Sequence, residues 1–211
     1  MIFTMRLLTT IFAAAAVIAL APAALADPLA GITVAPEVNV EEGSEHEYKR
    51  SLYRHWDDVD RDCQEVRHEV LIDESLVPVT FKDKEGEEED VCDVETGLWF
   101  DPYTGLTFAN ASDLDVDHVV PLKEAHESGA HLWAPEKRRL YANDRTNPGH
   151  LLAVDDSTNQ SKKDRDPAEW MPPNEGFHCA YVTMWSAIKL RWELSMDQAE
   201  ADAIRTVLTG C

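Results

Sequence analysis

The chain has 211 residues, with 40 acidic and 19 basic side chains and a formal charge of -21 at pH 7. An acid excess this strong disfavours a protein that grips nucleic acid through many phosphate contacts, because each contact needs its own cation and the summed field repels the polymer. The length, with six Trp among the apolar residues, supports one domain with its own core.

In chain order, Arg6 precedes an apolar stretch from Leu7 to about Ala21, and Ala24-Leu25-Ala26 then stands before Asp27. This pattern is that of a signal peptide over residues 1–26, cleaved after Ala26, with export to the periplasm or the exterior. No second apolar run of comparable length follows, so no stable membrane association is expected. Residues 27–46 mix Pro, Gly and Glu without a sustained period and read as a flexible lead-in, leaving 47–211 as the folded domain. A monomer is the expected state.

Val66, Val70 and Leu71 fall at helical spacing within 63–72, with Arg67 one turn from Cys63. Residues 77–81 and 91–94 read as strands around an acidic turn at 84–90. Pro102 and Gly105, set between Trp99-Phe100 and Leu106, predict a hairpin turn. It feeds Leu114-Asp115-Val116-Asp117-His118-Val119-Val120-Pro121, whose alternation suits a half-buried strand that Pro121 ends. Residues 123–130 and 135–141 read as short helices, the second with Pro near its first turn. Residues 151–154 form a buried strand, and Ser157-Thr158 cap a helix from about Asn159. Helices over 181–194 and 196–208 complete the chain. The four cysteines lie in the exported part and favour disulfides over metal thiolates; loop closure favours Cys63 with Cys92 and Cys179 with Cys211.

Asp117-His118 at a strand end and Asn159 at a helix start carry the chemistry. Phosphodiester cleavage needs a base for water, a cation to neutralise charge growing on the phosphate, and support for the leaving oxygen. An imidazole with an ordinary pKa of roughly 6.5 is largely neutral at pH 7. Asp117 supplies one carboxylate and Asn159 a neutral oxygen, an open set that suits magnesium. Adjacent strand residues point to opposite faces, so one of Asp117 and His118 must sit where the strand bends.

The segments 115–121 and 151–164 resemble the HNH endonuclease family, including the HNH domain of RNA-guided CRISPR effectors. Further stretches, at 53–56, 63–71, 99–105, 128–130, 141–144 and 166–170 and at Cys211, resemble secreted bacterial HNH nucleases. That family includes the carboxy-terminal nuclease portion of modification-dependent restriction enzymes. The resemblance implies an α+β domain built on a ββα-metal finger, with added helices and a disulfide-linked N-terminal helix and hairpin region. It implies His118 as general base, Asp117 and Asn159 as ligands of one Mg2+ or Mn2+ ion, DNA or also RNA as substrate, and 5′-phosphate products. His150 takes the place of the middle residue that ties the finger together, with Asn147 as rival.

Other readings stand beside these. Arg67 is a candidate fork onto the scissile phosphate, or a partner for a nearby acid. The segment 102–211, with 17 acids and 11 bases against 23 and 7 in 27–101, carries Lys137-Arg138-Arg139, Arg145 and Lys162-Lys163-Arg165. These form either a positive rim or solvated helix faces. His126 and His131 pack or face water, His55-Trp56 read as core or as a staple to the disulfide region, and Asp164 and Asp166 cap or pair locally. The rival functions are a catalytically silent binding module and a zinc hydrolase using several histidines, for which no metal-ligand spacing is present.

Overall fold

The structure, a computed structural model, describes residues 27–36, 43–44, 46–82 and 92–211. Residues 1–26, read above as a signal peptide, and the expected acidic turn at 84–90 lie outside the described residues. The architecture is α+β. Helix α1 (Val66–Glu74) precedes a three-stranded antiparallel sheet of β1 (Thr80–Phe81), β2 (Val94–Phe100) and β3 (Thr107–Asn110). The strand β4 (Leu114–His118) pairs antiparallel with β5 (Leu151–Asp155), from Leu114 opposite Asp155 to His118 opposite Leu151. The connection between them carries α2 (Leu122–Glu127) and α3 (Pro135–Ala142), and α4 (Asp156–Lys162) follows β5 without a loop. Two further helices, α5 (His178–Trp192) and α6 (Gln198–Leu208), complete the fold. Among the described residues, no helix is long and apolar enough to cross a membrane.

The pleat of the two-stranded ladder sorts its side chains into two cores. Leu114 and Val116 on β4, with Leu151 and Ala153 on β5, pack against Val66, Val70 and Leu71 of α1 and Trp99 of β2. Val154, on the opposite face of β5, joins a second core with Tyr103, Tyr141, Tyr181, Trp185 and Ile188. The alternation predicted for the Asp117 strand therefore separates one core from the other. The outer edge of β5 is closed by a side chain, since the Ala153 N–H donates to Glu74 Oε2 at 2.8 Å.

Several boundaries differ from the sequence reading. Only Thr80 and Phe81 of 77–81 pair as strand, and β2 runs on to Phe100. The cap of α4 is Asp155, whose Oδ2 accepts the Thr158 N–H at 2.8 Å, so the helix begins at Asp156 rather than near Asn159. Residues 27–36 are not a loose lead-in: Leu29 is buried in the second core, and Thr33 and Ala35 exchange backbone hydrogen bonds with Met196. The disulfides are Cys63–Cys92 and Cys179–Cys211, the pairing that loop closure favours. The first clips the loop leading into α1 to the sheet, and the second ties the start of α5 to the last residue.

Candidate active site

The cleft of about 400 Å³ at the C-terminal end of β4 is bordered by Asp117, His118 and Asn159, with Tyr48, Arg50 and Lys163 around them. Three residues singled out from sequence thus converge, because β5 brings α4 back beside the end of β4. Adjacent positions on β4 send their side chains to opposite sides. Asp117 faces α4 and Tyr103, and His118 lies against Trp56 and Tyr141. Both border the cleft because it sits where the strand stops.

The His118 ring is fixed as one tautomer. Its Nε2 lies 2.9 Å from the Ala142 carbonyl oxygen, which only accepts, so Nε2 carries the proton and Nδ1 keeps its lone pair. Among the described residues Nδ1 has no hydrogen-bond partner. Burial holds the pKa of the ring well below its ordinary value, and the neighbouring His150 and Arg50 push in the same direction, against the Ala142 bond. The group is a neutral imidazole with a free basic nitrogen. Trp56 stacks on it with ring centroids 5.7 Å apart, so the His55-Trp56 pair covers the candidate base rather than merely stapling the disulfide region. Trp56 has φ of 60°, rare for a bulky side chain. The next residue holds it there: the Asp57 N–H donates to Asn143 at 3.0 Å, and the Asp57 carboxylate pairs with Arg54 and Arg139.

Asp117 is held from behind. Lys162 Nζ donates to Oδ1 at 3.0 Å, to Oδ2 at 2.7 Å and to the His118 carbonyl at 3.0 Å, which uses all three of its protons. Tyr103 Oη donates to Oδ2 at 2.7 Å. Burial pushes the Asp117 carboxyl up and the Lys162 ammonium down, while their mutual attraction opposes both shifts. Lys162 is fully buried, so it is neither the DNA-facing cation nor the solvated helix residue that the sequence suggested. The signal for it was present: Asn159 and Lys162 are three apart on α4, hence on one helix face. Asn159 donates Nδ2 to Asp115 Oδ2 at 3.0 Å, an arrangement that frees the amide oxygen for a cation.

His150 lies in the same constellation. Its Nε2 donates to the Tyr141 carbonyl at 2.8 Å, next to the carbonyl that His118 uses, and its own carbonyl accepts the Val119 N–H at 3.1 Å. Burial lowers its pKa to about 4, so it too is neutral. The rival Asn147 donates no side-chain hydrogen bond among those described and borders a separate cavity of about 130 Å³. Arg67 does not reach the cleft. Its Nη2 donates to the Ala111 and Leu114 carbonyls at 3.3 and 3.0 Å, at the far end of β4 and roughly 14 Å of strand away from His118. The fork expected for a phosphate instead satisfies backbone at the start of the strand.

The predicted positive rim is largely neutralised. Arg139 pairs with Asp57 and Glu136, Arg145 with Glu69 and Asp73, and Lys137 with Glu193. Arg165 donates to the Ser161 and Lys162 carbonyls. His126 is buried against Tyr53, Asp164 pairs with Lys123, and Asp166 accepts the Ala168 and Glu169 amides. Among the described residues, the three-residue groups of potential metal donors that converge are all carboxylates, with no histidine in them.

The donor chemistry of the cleft fits a hard divalent cation. The Asp117 carboxylate and the Asn159 amide oxygen border it without a thiolate among the described residues, and the second acid on its rim, Asp164, is engaged by Lys123.

Comparison with known proteins agrees with this geometry. The family model for GmrSD restriction endonucleases, C-terminal domain, matches residues 76–207, which span β1 to most of α6. An uncharacterized secreted protein of Arthroderma benhamiae is 37% identical over 183 residues, covering 87% of this chain and 82% of that protein. No solved structure matches the chain. The matched span contains Asp117, His118, His150 and Asn159, and the chain belongs to the GmrSD C-terminal domain family, an HNH-type nuclease domain.

Proposed function

We propose that this protein is a secreted, divalent-metal-dependent endonuclease that hydrolyses phosphodiester bonds of DNA, and of RNA as a second substrate, on a ββα-metal finger formed by β4, β5 and α4. The observation that carries the reading is the free Nδ1 of a neutral, tautomer-fixed His118 on the same cleft as Asp117 and Asn159. His118 Nδ1 accepts the proton of the attacking water. The Ala142 carbonyl stabilises the resulting imidazolium through the Nε2 proton, and Trp56 keeps the ring from turning. Asp117 and Asn159 would hold Mg2+ or Mn2+, which supplies positive charge against the phosphate in the transition state. Lys162 and Tyr103 orient Asp117, and Asp115 orients Asn159. His150 is a positioning residue that keeps the turn after α3 in place, so that the Ala142 carbonyl meets His118. Export is supported by the leader-like residues 1–26, the two disulfides and the similarity to a secreted protein of Arthroderma benhamiae.

A net charge of -21 favours a catalyst over a passive nucleic-acid binder, since catalysis needs a local cation rather than a broad basic face. The test is incubation of purified mature protein with plasmid in Mg2+ or Mn2+, with and without EDTA. Nicking and linearisation that stop with EDTA, with 5′-phosphate and 3′-hydroxyl product ends, are expected. Cleavage insensitive to EDTA, or 3′-phosphate ends, contradicts the reading.

A further inference from the structure

With Arg67 committed to backbone carbonyls, the cleft needs another group to take hold of the phosphate. Arg50 opens a 3-10 turn (Arg50–Leu52), is exposed, and borders the cleft with Asp117, His118 and Asn159. In so acidic a chain it is informative that it has no acid partner among the described residues. Arg54, Arg139, Arg145, Arg191 and Arg205 each pair with a carboxylate. Among the described residues no carboxylate lies within ion-pairing distance of Arg50, and the polar group beside it is the Tyr48 hydroxyl. Of the other cations on the cleft, Lys123 is paired with Asp164 and Glu127, and Lys163 has no acid partner among the described residues.

The neighbouring groove gives a direction. About 850 Å³ in volume, it meets the cleft at Lys123, Lys163 and Asp164, and beyond them its lining carries five acids, Glu124, Glu127, Asp166, Glu169 and Asp197, against one base, Arg165. That wall repels a phosphate chain. A polyanion in the cleft is therefore driven toward the Tyr48–Arg50 side, where a planar guanidinium with free N–H donors can grip two phosphate oxygens at once.

We propose that Arg50 is the phosphate-holding residue of this site, with its guanidinium on the non-bridging oxygens of the reacting phosphodiester. This rests on the nuclease reading above. Arg50 is exposed and its polar neighbour is the Tyr48 hydroxyl rather than a buried charge, so its replacement spares the fold.

Wild type, Arg50→Ala and Arg50→Lys are compared on plasmid DNA and on bis(p-nitrophenyl) phosphate at one metal concentration, with thermal melts as a fold control. Arg50→Ala is expected to lower kcat/KM about 100-fold on both substrates, the scale of losing one transition-state donor. Arg50→Lys recovers part of the loss because it keeps the charge without the fork, and the melts coincide. An active wild type with Arg50→Ala within threefold of it on both substrates overturns this inference and leaves the nuclease reading standing. A loss on plasmid alone also overturns it, because Arg50 would then hold a flanking phosphate. A wild type that cleaves neither substrate in any divalent metal sinks the underlying reading as well.

Discussion

His118→Ala is expected to lower the rate of plasmid cleavage by about 10³-fold or more while leaving the fold intact, within the range for loss of a positioned base. The ring makes one hydrogen bond, to the Ala142 carbonyl, and its removal opens space beneath Trp56 without stranding a charge. Circular dichroism and a melt near that of wild type check the fold, and single-turnover cleavage reads the loss. The pH dependence gives a second signature. A general base must be neutral to work, and burial holds the His118 pKa well below the ordinary 6.5. The acid limb of the rate profile therefore falls below pH 6.5, not at it. Retention of more than a tenth of the wild-type rate in His118→Ala removes His118 from the role of base.

Lys162→Met is expected to lower the unfolding free energy by about 3–5 kcal/mol, because it leaves the Asp117 carboxylate buried without its ammonium and the His118 carbonyl without a donor. Urea denaturation measures it. Adding Asp117→Asn to Lys162→Met restores much of the loss, since the charge is then gone and the side chain still accepts from Tyr103. A cost under about 1 kcal/mol for Lys162→Met would show that the ammonium does not hold Asp117 in place.

The legibility of these features in sequence follows their range. The ladder of β4 and β5 with α4 was readable because its signals are local: alternation through Leu114, Val116 and His118, a proline stop at Pro121, and a short apolar run directly before a helix cap. Even there the cap shifted, because the Asp155 carboxylate accepts the Thr158 N–H and the Ser157 and Thr158 hydroxyls alike. The disulfides were readable because each closes a loop of about thirty residues that holds no other cysteine. His150 was distinguishable from Asn147 only in space, by the consecutive carbonyls of Tyr141 and Ala142 that take the two imidazoles.

Groups whose partners lie far along the chain were misread. Arg67 read as a phosphate fork or as the partner of a nearby acid, yet α1 packs over the start of β4 and delivers the guanidinium to backbone there. Trp56 and Arg50 reach the cleft from more than sixty residues upstream, and no periodicity marks them. Lys162 read as facing DNA or water because lysine is usually exposed, but a helix face that carries Asn159 to the cleft carries Lys162 inward with it. The basic clusters failed as a rim for a compositional reason: with twice as many acids as bases, most cations find a carboxylate.

The central claim is that Asp117, His118 and Asn159 act as one unit, in which two residues hold a cation and the third moves a proton. Single-turnover cleavage of a DNA duplex as a function of Mn2+ concentration separates these parts. Asn159→Ala is predicted to raise the half-saturating Mn2+ concentration at least about tenfold, in the range for loss of a metal-supporting group. His118→Ala is predicted to leave that concentration within twofold of wild type and to depress the plateau rate. An Asn159→Ala curve that overlays wild type, or a His118→Ala protein whose plateau is restored by more metal, contradicts the account.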